Sequence, residues 1–414
     1  MSSRQTSSYI NHSALGIVFL TVFLDLLGFG IVLPLMPIYA QLPQFHASST
    51  EIGWLMAIYS LMQFIFAPIW GRMSDHVGRK PILIIGLFGS AAAHLFYGLA
   101  GSLTVLFLSR MVAGMAGANL ATAQAVVADV TSPDKRAGAM GMIGAAFGLG
   151  FVLGPALGGL LSGPDFGNHP EYAPFAASAL CFCNGVLGIF LLPETRQAGR
   201  GGRQWVSPLS VEPWKAAFSH PMVAMLLLIG LLLTTGFASF EVALPLYGGL
   251  RLGWSLTTVG YFFAYVGILI TLVQGFLVRR TVPRLGEVRA ASFGFTLLIL
   301  AFAMLASGPA LGMLMIITIP LTVGFGLLSP SLSALLSRIS PENIQGTIMG
   351  LYQSVNSLGR VIGPSLGGFF FAAHRAGMHG PVAPFVAACA ILVPAMLLLL
   401  GYVAPRHPLR PSQA

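Results

Sequence analysis

Charge is what this sequence has least of. Of 414 residues, 12 are acidic and 21 basic, 8% in all. A water-soluble domain carries about 25% charged residues, so this chain cannot clothe a globule in water. Its 56% hydrophobic residues and mean hydropathy of +0.83 point to lipid as its solvent. Cysteine is scarce as well. Cys181, Cys183 and Cys389 all fall in apolar runs, and Cys181-x-Cys183 lacks the further ligands of a metal site, so three buried thiols are expected. There is no G-x-x-x-x-G-K-[ST] loop to serve an ATP-driven pump. There is also no H-E-x-x-H or clustered nucleophile to serve an intramembrane enzyme. The net charge of +9 is scattered over short loops without interleaved aromatics, which excludes a nucleic-acid partner.

What is present is apolar sequence in long runs. A backbone in lipid must close its hydrogen bonds within helices or a barrel, and continuous rather than alternating runs select helices. Runs able to cross about 30 Å of hydrocarbon fall near 14–40, 51–71, 82–100, 103–128, 138–162, 173–193, 220–248, 257–278, 290–307, 311–336, 346–372 and 382–403. The chain therefore reads as an all-α membrane protein of twelve spans. The first run is longer than a signal-peptide core and carries Asp25, so it is expected to stay as a span. With the N-terminus inside, cytoplasmic segments hold 17 of the 21 Lys and Arg, and the opposite side holds only Arg251 and Arg375. That bias places both termini in the cytoplasm.

The most polar connection, 194–219, separates an N-terminal six-helix half (1–193) from a C-terminal one (220–414). The halves repeat each other. Gly141, Gly150, Gly154-Pro155 and Gly158-Gly159 recur 209 residues later as Gly350, Gly359, Gly363-Pro364 and Gly367-Gly368. Parallel repeats are a transporter architecture, with substrate held between the halves near the midplane.

Few charges lie inside spans, and each is expensive there, so each is a functional candidate. Asp25 sits roughly 16 Å above the inner surface and Arg110 roughly 10 Å below the outer one, at 1.5 Å per residue. In a slab of about 30 Å the two can share a polar site. Asp25 and Glu241 are the acids well inside spans, with His94 a further candidate proton site. A carboxyl whose water access and cation contact alternate can exchange its proton with the two sides in turn. Packing anchors remain the plainer reading of each. Gln63, Asn119, Gln124, Phe237, Gln274, Gln353 and Asn356 are candidate cavity-lining residues, and Arg360 needs a partner.

Three motifs carry a resemblance to the major facilitator superfamily, and within it to the twelve-span drug:proton antiporters. Gly71-Arg-Met-Ser-Asp75-His-Val-Gly78-Arg79-Lys80 resembles the family's loop signature, with His76 replacing a basic residue. Its two glycines suit a tight helix reversal. The resemblance implies a conformational latch of Asp75, Arg79 and Lys80, joined by Asp129 and Arg136. The copy between spans 8 and 9, ending in Leu285-Gly286-Glu287, lacks the Asp and is given no role. The series Gly141, Gly150, Gly154, Pro155, Gly158, Gly159 resembles the family's antiporter motif, and Leu106-x-x-Ser-Arg110-x-x-x-Gly114 its intramembrane arginine motif. Leu24-Asp25, Phe66-Ala-Pro68 and Gly144-Ala-Ala-Phe-Gly148 are similar to tetracycline-type pumps. Those pumps carry an Asp where His94 stands, which argues against tetracycline itself as substrate.

The expectation is a proton-coupled exporter of small amphipathic compounds. It would be a monomer in a bacterial inner membrane, partnered by lipid and driven by the proton gradient without a cofactor. A facilitator or proton symporter on the same fold is the alternative.

Overall fold

The computed structural model describes residues 12–131, 136–164, 169–195, 212–340, 345–373 and 380–406. Helices account for the first half as α1 (His12–Val32), α2 (Ser49–Val77), α3 (Arg79–Gly98), α4 (Leu103–Gly117), α5 (Arg136–Leu161) and α6 (Tyr172–Leu191). The second half holds α7 (Pro221–Leu252), α8 (Leu256–Leu272), α9 (Glu287–Leu305), α10 (Leu311–Ile339), α11 (Gln345–Ala373) and α12 (Ala383–Leu398). No strand occurs among the described residues, and nine spans there are long and apolar enough to cross a bilayer. The polar linker's described part ends in a short helix, Glu212–Phe218; residues 196–211 lie outside the described residues.

Three spans depart from their expected course. α2 runs six residues past its expected end at 71, straight through Gly71, because only Gly78, at φ +120°, breaks it. The reversal thus needs one glycine, not two. Its other end is set by Ser48, whose hydroxyl accepts from the Glu51 amide while the Glu51 carboxylate accepts from the Ser48 amide. Span 4 is broken at Ala118 and resumes as Leu120–Val130. α8 passes into a π-helical turn, Val273–Leu277, before ending at Leu285.

Large apolar side chains such as Leu99, Phe190, Ile316 and Leu397 face outward, where lipid rather than water meets them. Cys183 is on this outer surface too, contrary to the expectation of three buried thiols. Cys181, two residues earlier, turns inward against Gly28, and Cys389 is half-buried.

The repeated glycine string decides how the halves meet. Gly150, Gly154 and Gly158 lie against Leu26, Gly30 and Ile31 of α1, and Gly359, Gly363 and Gly367 lie equivalently against Thr234, Thr235 and Ser239 of α7. The last glycine of each string crosses to the other half. A Cβ on Gly159 would come within 2.9 Å of the Gly260 Cα in α8, and one on Gly368 would strike the Ser49 carbonyl of α2. Helices three or four residues apart in glycine approach to backbone contact in this way. These crossings gather where α2 and α8 begin and α5 and α11 end, so the halves are closed on that face. A cavity of about 470 Å³ remains there, lined by Gln41, His46 and Ala47 of one half and Leu246, Gly249, Leu250 and Phe371 of the other.

Candidate functional site

Midway along the bundle, side chains from six helices converge. Asp25 of α1 faces Ser90 of α3, its hydrogen-bond partner. His94 is one turn further along α3 on the same face and lies within electrostatic reach of Arg110 from α4. Arg110 and His94 are fully buried, while Asp25 keeps partial exposure. In the other half Glu241 of α7 and Arg360 of α11 are electrostatic partners, which supplies the partner that Arg360 lacked. Tyr59 of α2 lies within electrostatic reach of Asp25, Arg110 and Arg360.

Asp25 and Arg110 both lie within electrostatic reach of Tyr59, but they form no ion pair with each other. Among the described residues Arg110 has no carboxylate partner. Its Cζ lies 4.6 Å from the centroid of the Tyr59 ring, and its Nε and Nη2 have no hydrogen-bond partner. Depth along a helix axis does not say which way a side chain turns, and α4 turns Arg110 toward α2 and α3.

Several expected cavity residues instead stitch helices. Gln63 donates to the Gly117 carbonyl at 3.1 Å, and Asn119 donates to the Leu83 carbonyl at 2.8 Å, both supporting the break in span 4. Asn356 accepts from the Thr234 hydroxyl at 3.0 Å, joining α11 to α7. Phe237 stacks on Phe325 at 3.8 Å. Gln274 is exposed on the π turn of α8, and Gln353 is exposed on α11. The side chains of Asp75, Gln124 and Arg136, and the surroundings of Gly141, lie outside the described residues.

At the face opposite the closed one, Arg79 is the hub. Its Nε pairs with Asp129 at 3.1 Å and its Nη1 donates to Ser74 at 2.6 Å. The first backbone amides of α3, Arg79 and Lys80, donate to Glu194 at 2.9 and 3.2 Å. A carboxylate at a helix N-terminus satisfies orphan amides and the helix dipole together. The second half has a counterpart of opposite sign. Glu287, at the start of α9, pairs with Arg338, at the end of α10, at 2.9 Å. These positions follow Arg79 and Asp129 by 208 and 209 residues, so the degenerate copy does hold an ion pair.

Sequence reading missed Tyr59, Ser90, Glu194 and the Glu287–Arg338 pair. Tyr59 was findable as the residue one turn before Gln63, and Glu194 as an acid closing span 6. Ser90 carried no signal of its own.

A paired-half bundle with charges at its centre and glycine contacts between its halves is the architecture of a multi-pass membrane transporter. The chain belongs to the Major Facilitator Superfamily, whose family model matches residues 18–364 and 282–414. It is 32% identical over 378 residues to the tetracycline resistance protein, class C, of Escherichia coli, covering 89% of this chain and 92% of that one. It is 30% identical over 357 residues to multidrug resistance protein 2 of Bacillus subtilis, covering 84% and 86%. Among solved structures, the human organic anion transporter MFSD10 (TETRAN) superposes with a TM-score of 0.69 at 26% identity, covering 94% of this chain and 99% of that one.

Proposed function

We propose that this chain is a proton-coupled antiporter that exports small amphipathic compounds by rocking its two halves, 1–193 and 220–414, about the linker 194–219. Its place is a bacterial inner membrane with both termini cytoplasmic, as a monomer driven by the proton gradient without a cofactor. The observation that carries the reading is the meeting of acids and arginines from both halves at the midplane, beneath a face sealed by the antiporter glycines. The names of the two bacterial relatives, both resistance proteins, support the same direction of transport. Asp25 carries the proton, and Arg110, His94 and Glu241 tune or share that duty. A proton arriving from outside neutralises Asp25 and weakens its hold on a cationic compound, which leaves outward. Loss of that proton inside restores the charge.

The test is substrate-induced proton release in proteoliposomes, using a panel that includes tetracycline and the lipophilic cation tetraphenylphosphonium. Wild type releases protons and accumulates at least one panel member uphill, and Asp25→Asn does neither. A mutant that still pumps uphill removes Asp25 from the role. A wild type without coupling to any compound leaves a facilitator in its place.

A further inference from the structure

No motif gives Tyr59 a role, yet the structure builds a seat for it. Tyr59 lies on α2, the helix of the first half that packs along α11 of the second. α4 makes room for it. A Cβ at Gly114 would strike the Tyr59 carbonyl and Met62, and one at Gly117 would stand 2.5 Å from its hydroxyl. Phe29 packs against the ring at 5.0 Å. Held there, the ring offers its face to Arg110 at 4.6 Å. Arg110 is 1% exposed, with two guanidinium nitrogens unpartnered and no ion pair among the described residues. A buried guanidinium without a carboxylate is costly, and an aromatic face supplies part of the missing compensation without neutralising the charge. The charged groups around the ring come from three other helices: Asp25 from α1, Arg110 from α4 and Arg360 from α11. His94 and Tyr97 of α3 stand behind Arg110, and Glu241 of α7 behind Arg360.

We propose that Tyr59 is a positioning residue of the transport cycle, its ring holding Arg110 away from Asp25 and the charge of Arg360, across the seam between α2 and α11, making that hold depend on the setting of the two halves. Resting on the antiporter reading, the inference assigns the coupling between halves to a named side chain. When the halves rock, α2 slides along α11 and the charge of Arg360 shifts relative to the ring; the ring then swings off the guanidinium and Arg110 turns to Asp25. The proton site and the conformation then change together.

The test needs no substrate. Spin labels at Met73→Cys and Met349→Cys, with the three native cysteines replaced by alanine, report the distance between α2 and α11 from pH 5 to 8. A second label pair within the first half confirms its fold. In wild type the distance populations shift with pH. In Tyr59→Leu the shift falls by about fivefold or more, a lost population coupling of the kind a two-state element carries, while the first half stays intact. Tyr59→Phe, which keeps the ring, retains at least about half of the shift. A wild-type shift preserved in Tyr59→Leu overturns the proposal and leaves the antiporter reading standing. Equal loss in Tyr59→Phe and Tyr59→Leu also overturns the role given to the ring. A wild type that does not respond to pH removes the antiporter reading and this proposal with it.

Discussion

At the scale of single residues, two arginines of the first half, Arg79 and Arg110, make a contrast. Arg79 is largely buried and tied to Asp129, Ser74 and, through its amide, Glu194. Arg110 is deeper and has an aromatic face but no carboxylate. Removing a partner from a pair strands the other charge, whereas removing an unpaired buried charge removes a cost. Arg110→Met is therefore expected to raise stability in detergent by about 1–3 kcal/mol while abolishing uphill transport. Thermal unfolding of the purified protein, followed with a thiol-reactive dye, checks the first half of this. A lowered unfolding temperature would mean that Arg110 has a partner holding the bundle together. Arg79→Leu should go the other way and lose about 1–3 kcal/mol, since Asp129 is left three-quarters buried and unpaired.

Among elements, the glycine strings of α5 and α11 separate two functions that one motif conceals. Gly158 faces α1 of its own half, so a side chain there disturbs the fold. Gly159, its neighbour, faces Gly260 across the two halves, so a side chain there disturbs the closed face. Gly158→Leu is expected to destabilise the protein by about 1–3 kcal/mol through overpacking. Gly159→Leu should leave stability within about 1 kcal/mol and hold the closed face open. Accessibility of Thr257→Cys to a membrane-impermeant thiol reagent would rise in the Gly159→Leu background, and unchanged accessibility would refute the assignment. The inverted pairs Arg79–Asp129 and Glu287–Arg338 join equivalent helix ends with opposite polarity. Exchanging Glu287 and Arg338 should keep their mutual attraction while setting each charge against its helix dipole, a partial rescue. Transport by Glu287→Arg with Arg338→Glu should then exceed that of either single variant.

For the molecule as a whole, orientation rests on where the basic residues are. The closed face carries the loop at 41–48 and the described residues 163–164 and 169–171, while the Arg79 and Glu287 pairs mark the other face. In the proposed orientation, which rests on the bias of Lys and Arg, the latter face is cytoplasmic. Single cysteines in 41–50 and 163–172 should then react with an impermeant reagent added to intact cells, and cysteines in 196–203 should not. Labelling of 196–203 in intact cells would reverse the topology and the direction of transport with it.

Composition and periodicity determined the bilayer, the twelve helices and the paired halves, and three motifs carried the family resemblance. Each follows from a property that every residue of a span shares: lipid demands long apolar runs, and a duplicated half repeats its glycines at a constant shift. They also placed Asp25, Glu241, Arg110 and His94 inside spans, because a charge in hydrocarbon is conspicuous wherever it points. Direction was left to the tertiary structure. Whether Arg110 meets Asp25 or Tyr59, and whether Gln63 and Asn119 line a cavity or stitch the break in span 4, depends on how α2, α3 and α4 are rotated about their axes. That rotation comes from contacts far apart in sequence, such as Gly114 against Tyr59 and Gly53 against Pro364. The pairing of Glu287 with Arg338 belongs with these, since two residues 51 positions apart meet only where the ends of two helices are brought together.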